Sequence, residues 1–540
     1  MARPAGRVAA PPAGERVESK PVPGAREWVV LAVLCVSLLI VSLDNTVLNV
    51  ALPTLVRDLH ATDTELQWIV DAYSIVFAGL LLVAGSLGDR VGRKWVFLAG
   101  LAVFASGSAA SAFSGSPASL IAARAFMGVG SAAIMPTTLS ILTNVFTDGT
   151  ARAKAIGVWS GTTGLGVAIG PIVGGWLLDH YWWGSVFLIN VPIALAGLAA
   201  AAAIVPNSRN HSVGPPDGVG AVGSVVGLGL LLWGIIEAPE RSWGSSLVLA
   251  AMAGGVVVLA GFVWWEKRSD HPLLRLQLFE NRRFSAAIGS MALVLFTLMG
   301  ALFILTQYLQ FTLGYSAFQA GLRIGPMALV ILVVAPTSSV VVRKIGTKAV
   351  VFTGMAVIAI GMAMISRTTL AGSYLDALPA FLLVGIGAGL AFAPSTESVM
   401  GSLPLDQAGV GAATNSTALQ VGGALGVAVL GSLLNTRYQD RLAPVLAHEA
   451  MPAAVHHSIV GSLGGALAVA EGIGGALGAE LASVARVAFV SGLDLASIVG
   501  AVAVGAGALV VLALLPSRPD HKEEQRAPAG ADQVEGGALP

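Results

Sequence analysis

The chain has 540 residues, 55% of them hydrophobic and 11% charged, with a mean hydropathy of +0.80. Soluble domains carry about 25% charged residues, so a soluble globular chain is excluded and a polytopic membrane protein is expected. The 30 basic residues balance the 30 acidic ones, which removes the electrostatic case for nucleic acid or an acidic partner.

Residues 1–27, rich in Ala, Pro, Gly and Arg, read as a disordered cytoplasmic tail. The first apolar run starts too late and runs too long for a cleavable signal peptide. Fourteen apolar segments follow, at 28–52, 65–88, 94–114, 118–142, 155–178, 184–204, 218–236, 246–265, 284–310, 318–341, 348–366, 376–402, 408–434 and 490–515. The expected fold is therefore an all-α polytopic membrane protein of 14 transmembrane helices. Six spans form an N-terminal bundle at 28–204. Linkers and inserted spans 7 and 8 occupy 205–283, six more spans form a C-terminal bundle at 284–515, and a second cytoplasmic tail covers 516–540. Two six-helix halves flanking a central site is the layout of a carrier that opens alternately to each side.

Most of the 30 Lys and Arg residues fall on the segments that share a side with the two tails, and Arg124 and Arg323 lie inside spans. That bias puts both termini in the cytoplasm. Residues 435–489 resist assignment: "IVGSLGGALAVAEGIGGALGAEL" is apolar, but its Gly/Ala content and Glu471 make it a poor span. It reads as a long outer loop holding an amphipathic helix. The single cysteine, Cys35, sits in the first span, so an internal disulfide and a thiolate metal site are both ruled out.

The first span carries "VSLDNTVLNVALP", in which Asp44 is the sole charge of a run otherwise suited to lipid. A charge at such depth costs about 2.5–3.5 kcal/mol even on a lenient scale. Asp44 lies about 12 Å inside the outer end of its span, and Asp71 and Arg124 each lie about 9 Å inside theirs, at ~1.5 Å per residue. One layer thus holds three ionisable groups, and an arginine near carboxylates keeps an acid ionised where lipid alone would neutralise it. The alternative for an Asp44–Arg124 pair is a structural ion pair fixing spans 1 and 4, whose geometry would look alike. Asp71 reads as a second proton site, an attractor for cations, or a polar group in an outer vestibule.

Between spans 2 and 3 stands "GSLGDRVGRK", in which Gly85 and Gly92 allow close approach and a tight turn. Asp89 there lies among Arg90, Arg93 and Lys94, the makings of an ion-pair latch. In span 5, "GVAIGPIVGG" places Gly166, Gly170 and Gly174 on one face, where another backbone approaches closely; Pro171 removes one backbone hydrogen bond, and Gly175 closes the run. Glu397 in "FAPSTESVMGSLP", with Asn415, Thr417 and Gln420 in span 13, are polar groups that either line a cavity or bond helices together; Asn45 is a further cavity candidate. His456–His457 lacks partners at ligand spacing, so no metal site is expected. No GxxxxGK[ST] loop occurs, which argues against ATP as the energy source.

The loop sequence at 85–94 resembles the cytoplasmic signature of the major facilitator superfamily. The span-5 run is similar to the antiporter motif of that superfamily's exporters. "LDNTVLNVALP", "LQWIVDAYSI", "ARAFMGVGSA" and "FLINVPIAL" resemble its fourteen-span drug:proton antiporter branch, the EmrB/QacA type. The resemblance covers nearly all of 28–515. It implies gating roles for Asp89, Arg90 and Arg93, and proton coupling at Asp44. The expected function is a proton-coupled antiporter of the plasma (inner) membrane that exports lipophilic drugs or antibiotics, with protons, small molecules and lipid as partners. It would be driven by the proton gradient without a cofactor, and would not be an enzyme. A dedicated exporter of one endogenous metabolite, antibiotic or lipid is the alternative. Oligomeric state is open, and a monomer suffices for this function.

Overall fold

A computed structural model describes residues 24–209, 217–370, 372–403, 408–447 and 451–515. Of the expected tails, residues 1–23 and 516–540 lie outside the described residues, whereas 25–27, expected in the first tail at 1–27, are the opening turn of a helix. Fourteen helices, α6 and α7 counting together, are long and apolar enough to cross a membrane, and every regular element among the described residues is helical.

The first bundle comprises α1 (Ala25–Leu59), α2 (Asp63–Val91), α3 (Arg93–Ala112), α4 (Pro117–Val145), α5 (Gly149–His180), the short α6 (Ser185–Leu188) and α7 (Asn190–Ile204). An inserted pair, α8 (Gly218–Arg241) and α9 (Ser246–Glu266), precedes the second bundle. That bundle runs through α10 (Arg282–Gln307, continued as a π-helix at Tyr308–Thr312), α11 (Ala317–Ile345), α12 (Thr347–Ile365), α13 (Tyr374–Met400), α14 (Ala408–Leu446), α15 (Ala453–Gly461), α16 (Leu463–Ile473) and α17 (Gly475–Leu514).

Local chemistry sets the ends. Thr62 and Glu65 form a capping box at the start of α2, and Ser316 with Gln319 does the same for α11. Each box satisfies backbone donors that a helix start leaves free. Gly92 (φ +129°) ends α2 and opens α3, and Gly346 (φ +85°) does so between α11 and α12. A side chain would be strained at both turns.

The packing is repeated as well. In the first bundle α2 and α3 lie on α4, and α1 on α5; in the second, α11 and α12 lie on α13, and α10 on α14. The α3/α4 crossing is close at Gly100, where an added Cβ would stand 3.0 Å from the Gly130 carbonyl. The α12/α13 crossing matches it at Gly354, 2.7 Å from the Gly387 carbonyl. The two halves are thus one architecture used twice.

With fourteen crossings, residues 24 and 515 lie on one membrane face, the terminal face; the opposite one is the distal face. The 435–489 segment differs from expectation in its details. Helix α14 continues to Leu446 and α17 begins at Gly475, so both overrun the lipid-length stretch that hydropathy detects. Between them α15 and α16 are too short to cross. Ser462 starts α16 by accepting from the Gly465 amide (3.0 Å), and α16 packs on α17. Residues 463–473 therefore do form a distal helix.

Candidate functional site

Asp44 on α1 and Arg124 on α4 form an ion pair between the Asp44 Oδ2 and an Arg124 terminal nitrogen, both side chains 1% exposed. Each charge has further partners. The Asn190 Nδ2 donates to Asp44 Oδ1 (3.2 Å) and lies 3.3 Å from the Ser108 hydroxyl, which donates to the Phe187 carbonyl (2.8 Å). Arg124 Nε donates to the Ile69 carbonyl (3.2 Å), and its guanidinium carbon lies 4.3 Å from the centre of the Tyr73 ring. Tyr73 in turn donates to Ser131 (2.7 Å). Six elements, α1 to α4, α6 and α7, thus converge on one buried pair, all within the first bundle.

The layer predicted from depth is only partly assembled. Asp71 is fully buried, yet neither of its carboxylate oxygens has a hydrogen-bond partner among the described residues, and Arg124 does not reach it. One turn before it, Gln67 accepts from Ser432 of α14 (3.0 Å); one turn after it, Ile75 clusters with Ala424 and Ala428 of α14. Residues a turn apart share a helix face, so Asp71 sits on the side of α2 that meets the second half.

The α5 glycines divide between two neighbours. A Cβ on Gly166 would stand 2.7 Å from Ser42, one on Gly170 would overlap Thr46, and one on Gly174 would stand 2.7 Å from Val47. That face lies directly on α1, on the stretch that bears Asp44. Pro171 and Gly175 face α11 instead: the Pro171 carbonyl abuts Gly321, and a Cβ on Gly175 would meet the Phe318 backbone at 2.6 Å. Helix α5 therefore touches the charged helix on one side and the other half of the molecule on the other.

The 85–94 motif is tied to its own bundle. Arg93 donates to Asp89 (2.7 Å) and to the Ser140 carbonyl (3.1 Å), and Lys94 to the Ala202 carbonyl (2.7 Å). Gly92 lies beside Asn207, and Gly85 is in ordinary contact with Pro136. Arg90 is exposed. No hydrogen bond from Asp89, Arg90 or Arg93 reaches the second half among the described residues.

The halves join at the distal face. Gln310 in the π-helix donates to the Val50 carbonyl (2.9 Å), Asn435 to Thr64 (3.4 Å), and Ser316 to Asp179 (2.7 Å). Together with Gln67–Ser432 and the Gly175 and Gly321 contacts, these close that end. The terminal end has no hydrogen bond between halves among the described residues, and a Cβ on Gly157, Gly161 or Gly164, in the terminal half of α5, would meet nothing within 4 Å; the structure is sealed distally and parted where the chain begins and ends.

Asn45 touches the edge of this constellation: it donates to the Val41 carbonyl of its own helix (3.1 Å), and its side chain also bonds Tyr73. The other candidates do not join it. Glu397 is exposed one turn from the end of α13, and Gln420 is half-buried. Asn415 and Thr417 each hold a buried oxygen without a partner among the described residues. His456 and His457 are exposed.

Repeated helical halves sealed at one end and parted at the other, with charge buried within, define a membrane transporter. A family model described as Major Facilitator Superfamily matches residues 34–427. The multidrug efflux pump LfrA of Mycolicibacterium smegmatis is 37% identical over 449 residues, covering 82% of this chain and 88% of that protein. The tetracenomycin C resistance and export protein of Streptomyces glaucescens is 36% identical, covering 77% of each chain. The cephamycin export protein CmcT of Amycolatopsis lactamdurans is 37% identical, covering 74% of this chain and 83% of its own. A crystallised bacterial homologue of the human lysosomal transporter Spinster superposes with a TM-score of 0.61 at 16% identity, covering 92% of this chain and 99% of that one; this likeness shows the fold. The chain belongs to the major facilitator superfamily and is a multi-pass membrane protein.

Sequence reasoning placed Asp44 beside Arg124 and missed Asn190, Ser108 and Tyr73. The signal for Asn190 was present, an amide opening an otherwise apolar span in "FLINVPIAL".

Proposed function

We propose that the protein is a proton-coupled antiporter that exports lipophilic drugs or antibiotics across the plasma membrane by alternating access, with both termini in the cytoplasm and no bound cofactor. The observation that carries this is the fully buried Asp44–Arg124 pair on the helix that the α5 glycines grip. Helix α5 also contacts α11, so a rocking of the halves strains the α1/α5 packing beside Asp44. Loosening the pair uncovers a carboxylate whose cost falls on binding a proton. Arg124 displaces that proton when the pair re-forms. Asp71, buried at the seam without a partner among the described residues, takes the second role, holding a proton or the positive end of a substrate.

The driving force suffices. One proton crossing 100 mV and one pH unit supplies about 2.3 plus 1.4 kcal/mol, enough for roughly a 500-fold gradient of a neutral cargo. A narrower reading, a dedicated exporter of one antibiotic, is favoured by relatives that are named for exporting tetracenomycin C and cephamycin. Proton flux recorded in vesicles against a panel of cationic and neutral compounds separates the two, because a broad response marks a multidrug carrier. Compound-evoked flux that persists in Asp44→Asn removes Asp44 from coupling.

A further inference from the structure

The two side seams between the halves are built differently. On one side α2 faces α14, and the inserted helix α8 lies across both. Leu232, Ile235 and Ile236 of α8 form one cluster with Ile75 of α2 and with Ala424 and Ala428 of α14. Polar bonds hold the distal end of α8 and the turn after it: Trp68 of α2 donates to Glu237 (3.2 Å), and Trp243, just past α8, donates to Thr436 of α14 (2.9 Å). Val225 continues the contact along α2 as far as Gly79, with its Cα 3.3 Å from where a Cβ would stand. Among the described residues α9 packs chiefly behind α8.

On the other side α5 faces α11, and among the described residues no helix lies across them. One stripe of α5 runs through Gly175, Pro171, Gly164, Gly161 and Gly157 at helical spacing. Its distal members press on the α11 backbone, while an added Cβ on Gly164, Gly161 or Gly157 would meet nothing within 4 Å. The facing stripe of α11 behaves alike. Gly321 is in contact with Pro171 and Gly325 with Ile172 (3.8 Å), whereas Leu329 and Leu332 beyond them are 60% and 44% exposed. The seam is shut distally and gapes toward the terminal face, with apolar walls.

We propose that lipophilic cargo enters sideways from the leaflet at the terminal face through the α5/α11 seam alone, because α8 bars the α2/α14 seam. This rests on the exporter reading above. The gap is walled chiefly by glycine and leucine, with the exposed Ser160 as one hydroxyl on the α5 stripe, so it favours compounds already dissolved in lipid over a strongly hydrated solute. The inserted pair acts as a fixed side wall that gives the carrier a single lateral mouth.

The test uses the full-length chain in proteoliposomes and a diazirine-bearing triphenylphosphonium as probe, with excess tetraphenylphosphonium as competitor. Displaceable photo-adducts are expected on Val158, Leu165, Leu329 and Leu332, at least tenfold above those on Val222 and Val226 of α8. Displaceable adducts equal on α8, or at neither seam while the probe is still transported, overturn the route and leave the exporter reading standing. Absence of both transport and displaceable labelling overturns the exporter reading, and the route with it. A second readout is Gly161→Trp with Leu332→Trp, which fills the mouth. It is expected to raise KM for the phosphonium at least tenfold with kcat retained, while Val222→Trp leaves KM unchanged. An unchanged KM in the filled variant overturns the proposal.

Discussion

Replacing Arg124 with Gln strands Asp44. Both side chains are 1% exposed, so water does not replace the lost guanidinium, and only the Asn190 amide still serves the carboxylate. Breaking one side of a buried pair costs about 3–5 kcal/mol. Loss of the bond to the Ile69 carbonyl and of the contact with Tyr73 adds about 1–2 kcal/mol. Asp44→Asn strands Arg124 in the same way. The double variant carries neither charge, so it is expected to be more stable than the two single effects summed, by about 3 kcal/mol. Denaturant unfolding of the full-length chain in mixed micelles, followed by tryptophan fluorescence, measures this cycle, with equal m-values as the control. Additivity within about 0.5 kcal/mol would show that the two charges do not sense each other, and would refute both the pair and the coupling built on it.

Gly170→Val drives a branched side chain into Thr46 of α1 and is expected to abolish transport, whereas Gly157→Ala meets open space and gains about 0.8–1 kcal/mol of helix propensity; transport assays and thermal unfolding of the two variants check the contrast. Gln310→Leu removes one distal bond between halves. At about 1 kcal/mol for a hydrogen bond, it is expected to shift the balance roughly fivefold toward opening at that face, read from spin-label distances across the distal ends of α1 and α10. Asn190→Leu takes from Asp44 its one uncharged partner and is expected to cost about 1–3 kcal/mol; unfolding measured beside Asp44→Asn/Asn190→Leu should show that cost vanish once the carboxylate is gone.

The spans, their number and the repeat were legible because lipid enforces long apolar runs and the loops betray themselves by charge. The helix ends were less so. Helix α1 runs seven residues past the expected limit at Leu52, through Pro53, and α17 starts fifteen residues early, since hydropathy records the part in lipid and not the part hydrogen-bonded beyond it. Asp44 and Arg124 could be placed in one layer because depth follows from counting along a helix, but depth gives Arg124 no preference for Asp44 over Asp71. Asp71 could not be placed by that means. Its depth matches theirs, but its partner depends on how α2 is rotated, and Gln67 and Ile75 show that it turns toward α14. The split of the α5 glycines between two neighbours was hidden for the same reason: spacing gives a face and leaves open what covers it.

The 39- and 40-residue rods α14 and α17 are each close to 60 Å long at ~1.5 Å per residue, twice the ~30 Å thickness of the oily layer. Such rods act as pointers. A five-degree change of lean swings a 60 Å tip by about 5 Å, so a reporter fixed near Ile473 would magnify slight movements deep in the membrane into displacements that are easily seen from outside it.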